Sequence, residues 1–249
     1  MIRALVQAYR RLQNIVLPER ALVRSFITRH LRADGAPVVR LGFDLGAGTA
    51  PFAPDLERAW PGLRMVAVDA VADDRAELVA DASFLPLANG VADLVTAFHL
   101  FQHVPDTRRA LAEAGRVLKP DGLLLISFPF LCGSGRSRDL WRWTRAGMET
   151  ELRRAGFTIV ASECRGGPLL LLTSLVADMP GRLLVAHRRG WRSGRGVGDA
   201  SRLALAFALA LPFHLLGFGA AAIDRLLSRD PTLYIGGTVL ARRGGDGNA

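Results

Sequence analysis

Cysteine is nearly absent. Cys132 and Cys164 stand far apart, with no CxxC pair and no cysteine–histidine cluster. That excludes a disulfide framework, offers no zinc-ligand pattern and leads us to expect no metal; a reducing compartment fits. Lysine is scarcer still: Lys119 is the only one, so the formal charge of +9 comes almost wholly from arginine. Such one-sided usage fits a genomic composition bias as well as it fits an anionic partner. No signal peptide is expected in the first residues either. In "MIRALVQAYRRLQNIVLPERALVRSFITRHLRADG" the arginines run through a helical pattern, where a signal peptide would show a basic start, an apolar core and a cleavage site. There is no internal repeat and no low-complexity tract.

What is present is apolar. Half of the 249 residues are hydrophobic, enough to bury a good-sized core as one α/β domain or as a domain with a large insertion. Leu5, Leu12, Ile15, Val16, Val23, Ile27 and Leu31 recur at helical spacing, interrupted at Pro18. This predicts two amphipathic helices over residues 1–36, packed on the domain or lying on a membrane. From residue 38 short apolar runs alternate with polar helical stretches: "VVRLGFDLG", "MVAVD", "ELVAD", "DLVTAFH", then "LLLISFPF". Buried parallel strands joined by crossover helices have this pattern. One helix is predicted from Asp106 to the stop at Pro120-Asp121-Gly122, and another from Thr144 to "RRAGF". "FTIVASE" and "LYIGGTVLAR" read as two further strands.

The chemistry gathers in "FDLGAGTAPF", residues 43–52. A glycine-rich turn leaving a first strand lets backbone N–H groups approach a ligand without side chains in the way. A dinucleotide fingerprint would need a third glycine where Pro51 stands, which weakens a nicotinamide reading. Asp44, ahead of the first glycine, would repel a pyrophosphate but suits an ammonium group. Asp69 ends the second strand, where a carboxylate can accept from ribose hydroxyls. Asp81, in "ADASFLPL", ends the third and could take a hydrogen bond from an adenine amino group. Each acid alone reads as a solvated loop residue or helix cap; three at successive strand ends do not.

With "ADLVTAFHLFQHVPD", "RVLKPDGLLLISFPF" and "DLWRWTRAGMETELRRAGF", these residues resemble the class I S-adenosylmethionine-dependent methyltransferases, in motif order over roughly residues 38–165 and again at the last strand, 233–241. The pairing of "DLGAGTAPF" with "DLWRWT" is similar to a subgroup often met among genes for bacterial surface glycans and secondary products. The resemblance implies a Rossmann-like α/β fold with a seven-stranded sheet, its last strand antiparallel. It also implies S-adenosylmethionine as cofactor, bound by Asp44, Leu45, Gly46, Ala47, Gly48, Asp69, Ala70, Asp81, Ala82, Phe98 and His99. In that set Asp44 holds the methionine amino group through water, Asp69 binds the ribose, and Asp81 with Ala82 the adenine, while Phe98 and His99 flank the sulfonium. The family's usual third glycine is Ala50 here, and a histidine common before the acid of "DLWRWT" is Arg138. His99 is the candidate general base for an alcohol acceptor. His103 reads as structural. Asp139, Arg142 and Trp143 are candidates for the acceptor pocket.

The predicted organisation is therefore N-terminal helices over 1–36, a cofactor-binding core over 37–165, an apolar helical insertion over 166–231, and the final strand and tail over 232–249. The insertion contains a stretch from residue 203 to 223 with no Asp, Glu, Lys or Arg, long enough to cross a bilayer. The last strand must return to the sheet, Asp178 and Pro180 cut the earlier apolar run short, and Pro212 is expected to interrupt the later one. Two readings remain: a helical hairpin lying over the active site or dipping into one leaflet, or a lid or dimer interface in a wholly soluble enzyme. The expected activity is O-methylation of an apolar, lipid-linked or glycan or secondary-metabolite acceptor by a cytoplasmic enzyme, peripheral at the inner face of the membrane under the first reading. The alternatives are a silent binding protein of the same fold and an RNA methyltransferase. No Asn-Pro-Pro-aromatic motif or aromatic-studded basic patch supports a nucleic-acid partner.

Overall fold

The computed structural model describes residues 17–31, 38–72, 76–132, 139–185, 197–227 and 232–244. Arg138, residues 1–16 and the arginine-rich stretch at 187–196 lie outside them. The chain order is α1 (Pro18–His30), β1 (Leu41–Leu45), α2 (Ala53–Ala59), β2 (Arg64–Asp69), β3 (Leu78–Val79), β4 (Ala92–Phe98), α3 (Thr107–Val117), β5 (Leu118–Pro129), α4 (Arg145–Arg154), β6 (Phe157–Arg165), α5 (Pro168–Val185), α6 (Val197–Leu227) and β7 (Gly236–Arg243). The described residues among 17–22, 131–132 and 165–235 gather into one compact unit, and the others into a second that holds the sheet.

The sheet has seven strands in the order β3-β2-β1-β4-β5-β7-β6. β1 runs parallel to β2 and β4, β4 parallel to β5, and β7 antiparallel to β5. Leu94, Val95, Leu124, Leu125 and Ile126 are fully buried, so both faces of the central strands are covered and their sequences read as continuous apolar runs. On one face Phe43, Leu45, Val95 and Ile126 pack with Ala110, Leu111 and Ala114 of α3 and Met148 and Leu152 of α4. On the other, Leu94, Leu123 and Leu125 pack with Val23, Phe26 and Ile27 of α1 and Leu56 of α2.

Helix ends follow local chemistry. Asp106 caps α3 by accepting from the Arg109 N–H, and Thr144 Oγ1 caps α4 by accepting from the Gly147 N–H at 3.0 Å. Gly156, at φ +83°, turns the chain out of α4. Two expectations need correction. α3 stops at Val117, three residues before Pro120, because Leu118 is already extended (φ −67°, ψ 142°) and starts β5. Pro212 does not interrupt its helix: α6 runs through it, as α5 runs through Pro180. Each proline removes a single donor from the ladder, which a helix of 31 or 18 residues survives.

Candidate active site

β1 to β4 are parallel, so their carboxyl ends share one edge of the sheet, the place where open α/β sheets bind ligands. The residues after those ends surround a cavity of about 680 Å³. Gly46 follows β1, Asp69 and Ala70 close β2, Asp81 and Ala82 follow β3, and His99 follows β4; all line it. Asp44, Leu45, Ala47, Gly48 and Phe98 of the expected cofactor set do not.

The glycine turn works differently from the sequence expectation. Its N–H groups are engaged within the protein: Gly46 and Ala47 both donate to the Val68 carbonyl, at 2.8 and 3.2 Å, and Gly48 donates to Asp69 Oδ2 at 3.2 Å. The turn supplies room instead. Gly46 sits at φ +67°, and a Cβ there would lie 2.8 Å from Leu100 Cδ1 in the cavity wall. Ala50, where the family has glycine, is held at φ +45°. An L-residue in this region costs about 1–2 kcal/mol, of which glycine's greater freedom in the unfolded chain returns about 0.4–1 kcal/mol. Ala50→Gly is therefore expected to stabilise the fold by up to about 1 kcal/mol, raising the melting temperature by a few degrees. A lower melting temperature would refute this.

Asp69 is tied at both oxygens, Oδ2 to Gly48 and Oδ1 to the Val71 N–H at 3.2 Å. A carboxylate has about four acceptor positions, so two remain for ligand hydroxyls. Asp81 Oδ1 accepts from the Ser83 N–H at 2.7 Å. The loop that follows is held by one face of α3. Arg109 Nε donates to the Ser83 carbonyl, Glu113 accepts from the Leu85 N–H, and Arg116 donates to the Leu85 and Leu87 carbonyls and to Asn89. The Arg109 guanidinium also lies 3.6 Å from the centroid of the Phe84 ring. Spacing of four and three residues puts these side chains on one helix face. Hydrogen bonds from Arg116 hold the Glu113 carboxyl below its usual range.

Asp44 is buried on the opposite face of β1 from Phe43 and Leu45, where Thr96, its register partner on β4, donates to Oδ1 at 2.6 Å. Burial pushes its carboxyl up to about 7; the Thr96 hydrogen bond opposes the shift and the charge of Asp69 adds to it. Phe98 shares that face and stacks on Phe52, ring centroids 4.4 Å apart. Phe98 is not among the residues that line the cavity, whereas His99 and Leu100 after it are. His99 is at φ +53°, a left-handed conformation rare for a residue of its kind, and its N–H donates to the Ser127 carbonyl at 2.9 Å.

His103 also lines the cavity, with Leu100, Val104, Pro105 and Leu140. None of these was singled out from the sequence as a ligand contact; the one available signal was the four-residue spacing from His99 to His103. Asp139 and Arg142 are outside the lining and form a two-pronged ion pair with each other. Trp143 packs against the core. The pair braces a loop whose Leu140 and Trp141 N–H groups donate to the Gln102 carbonyl and whose Trp141 indole donates to the Val104 carbonyl. The residue this loop delivers to the cavity is Leu140.

Residues 43–126 match the family model described as "Methyltransferase domain". The chain is 31% identical over 220 residues to the malonyl-[acyl-carrier protein] O-methyltransferase of Methylococcus capsulatus, covering 72% of this chain and 78% of that one. Among solved structures, a putative sarcosine dimethylglycine methyltransferase from Galdieria sulphuraria superposes with a TM-score of 0.57 at 17% identity, over 90% of this chain and 86% of the other. A Haemonchus contortus phosphoethanolamine N-methyltransferase in complex with S-adenosyl-L-methionine superposes at 0.54 and 16% identity, over 88% and 52%. A sheet of this order, a cavity at the ends of its parallel strands and a relative this similar over most of both chains have one reading: the chain belongs to the class I S-adenosylmethionine-dependent methyltransferases, and S-adenosylmethionine is its cofactor.

Proposed function

We propose that the enzyme methylates an oxygen atom of an acceptor with an apolar body. The observation that carries this reading is the cavity lining, which includes the apolar Leu100, Val104, Pro105 and Leu140 together with His99 and His103. The relative named as an O-methyltransferase supports oxygen as the atom, and acyl or lipid-linked acceptors fit the apolar lining.

The residues present fit the cofactor. Asp44 would meet the methionine ammonium, Gly46 leaves room, Asp69 would bind the ribose through its two remaining acceptor positions, and Asp81 with Ala82 would take the adenine. Leu45, Ala47, Gly48 and Ala70 shape the strand ends around them. When bound, S-adenosylmethionine supplies a methyl on a sulfonium, a group already activated for displacement. The protein's remaining tasks are orientation, exclusion of water and, for a hydroxyl acceptor, removal of a proton. His99 and His103 are the groups placed for that proton.

The test is methyl transfer from labelled cofactor to hydroxyl and carboxylate acceptors bearing apolar chains. His99→Ala and His103→Ala are compared with the parent for kcat, KM and cofactor affinity. With a hydroxyl acceptor at least one variant should lose about 100-fold in kcat while keeping cofactor affinity. With a carboxylate, which has no proton to give up, neither should. Label appearing only on nitrogen or carbon of the acceptor would overturn the proposal.

A further inference from the structure

α5 and α6 form an antiparallel pair within the smaller unit. Asp224, near the end of α6, is buried and accepts from the Leu169 and Leu170 N–H groups at the start of α5, at 3.2 and 2.9 Å. A Cβ on Gly217 would meet Leu170 Cδ1 at 3.3 Å and Thr173 Oγ1 at 3.5 Å. The inward side of α6 is built of small residues, Ala206, Ala210, Gly217, Ala220 and Ala221, all buried, together with the Asp224 carboxylate.

The outward side carries the large apolar side chains. Leu205, Leu209, Leu215, Leu216, Ile223 and Leu226 of α6 are all about half exposed or more, Leu226 at 86%. At 100° per residue these positions fall within an arc of about 120° on one side of the helix. On α5 the exposed row is Leu169, Leu172, Leu175 and Met179, at 38–61%. A helix in water buries its leucines and exposes its small and polar residues; over its described residues α6 does the reverse, while α5 buries Leu170 against it and exposes the row just named. Small residues at the helix–helix contact with large apolar residues outside is the arrangement that suits a hydrocarbon surrounding.

We infer that the outward face of the α5–α6 pair docks on the surface of an anionic lipid bilayer, with its leucines in the acyl boundary. Charge favours that occupant over another protein. The residues joining the two helices in sequence, "HRRGWRSGRG", hold four arginines and no acid, within a chain of net charge +9, and arginines beside an apolar segment are attracted to anionic head groups. Only one helix, residues 208–227, is long and apolar enough to cross a membrane among the described residues, and the chain returns from it to β7 in the sheet. The face therefore lies in one leaflet. The inference is independent of the acceptor and of the atom methylated.

The experiment is vesicle flotation of the purified full-length enzyme, with S-adenosylmethionine binding measured on the same samples. The enzyme should float with phosphatidylglycerol vesicles and about tenfold less with phosphatidylcholine vesicles at low salt. Leu209→Asp and Leu216→Asp, at exposed positions, should each weaken flotation about tenfold or more while cofactor affinity is unchanged. Absence of flotation with either lipid would overturn the inference. So would a dimer in solution that Leu216→Asp converts to monomer while flotation persists.

Discussion

Asp44→Asn is expected to strengthen the fold while disabling the site. The carboxyl has an ordinary value of 3.8 and is pushed to about 7 by burial in the folded, ligand-free protein. Between those values the unfolded chain has released the proton and the folded chain still holds it. Stability therefore falls as pH rises from about 4 to about 7, by at most about 1.4 kcal/mol per unit, and is level above that. The accumulated cost at pH 8 is up to about 4 kcal/mol. Asparagine keeps the shape and the acceptor for Thr96 but cannot ionise. Thermal unfolding should thus show the variant more stable than the parent at pH 8, with the difference vanishing near pH 4. Cofactor binding should move the other way. A buried carboxylate opposite an ammonium contributes about 2–5 kcal/mol, so the variant should bind S-adenosylmethionine about 100-fold more weakly or worse. In the parent, affinity should fall about tenfold per unit as pH drops below 7, because the ammonium requires the ionised form. Equal melting temperatures for the two proteins at pH 8, with unchanged affinity, would remove Asp44 from the site.

Asp69→Ala is expected to have the second largest effect, through two separate losses. The ribose would lose its acceptor, and the N–H groups of Gly48 and Val71 would lose theirs. Hydrogen bonds to a charged group are worth about 1.5–3 kcal/mol, so titration calorimetry should show a loss of about 100-fold or more in cofactor affinity. Asp69→Asn keeps one carbonyl oxygen and should recover part of it. Because Gly48 N–H and Asp69 join the ends of β1 and β2, the alanine variant should also exchange the Gly48 amide hydrogen faster. An alanine variant with the parent's affinity would place the ribose elsewhere.

Much of the fold could be read from local pattern. The strand ends at Asp69 and Phe98, the cap at Thr144 and the turn at Gly156 each depend on side chains within a few residues. The same is true of the three acids at successive strand ends, since their positions follow once the apolar runs are taken as parallel strands. Other expectations failed where the outcome depended on distant neighbours. Phe98 and His99 are adjacent in sequence, yet the pleat sends one to Phe52 and leaves the other at the cavity. Asp139 and Arg142 looked like ligand contacts, but each was the nearest partner for the other. Leu140 between them carried no signal, because a leucine in a loop is unremarkable until the loop is anchored to Gln102 and Val104.

The sequence by itself determined the alternation of strands and helices and the carboxylates at successive strand ends, since periodicities and turn signals act over short spans, and its motifs carried the resemblance from which the class of the enzyme followed. Only the tertiary structure decided which side chains face the cavity, that burial pushes the Asp44 carboxyl up to about 7, and that α6 turns its large apolar side chains outward. Those properties come from desolvation and from packing between residues tens of positions apart, and no local pattern encodes which side of a helix or strand will lose its water.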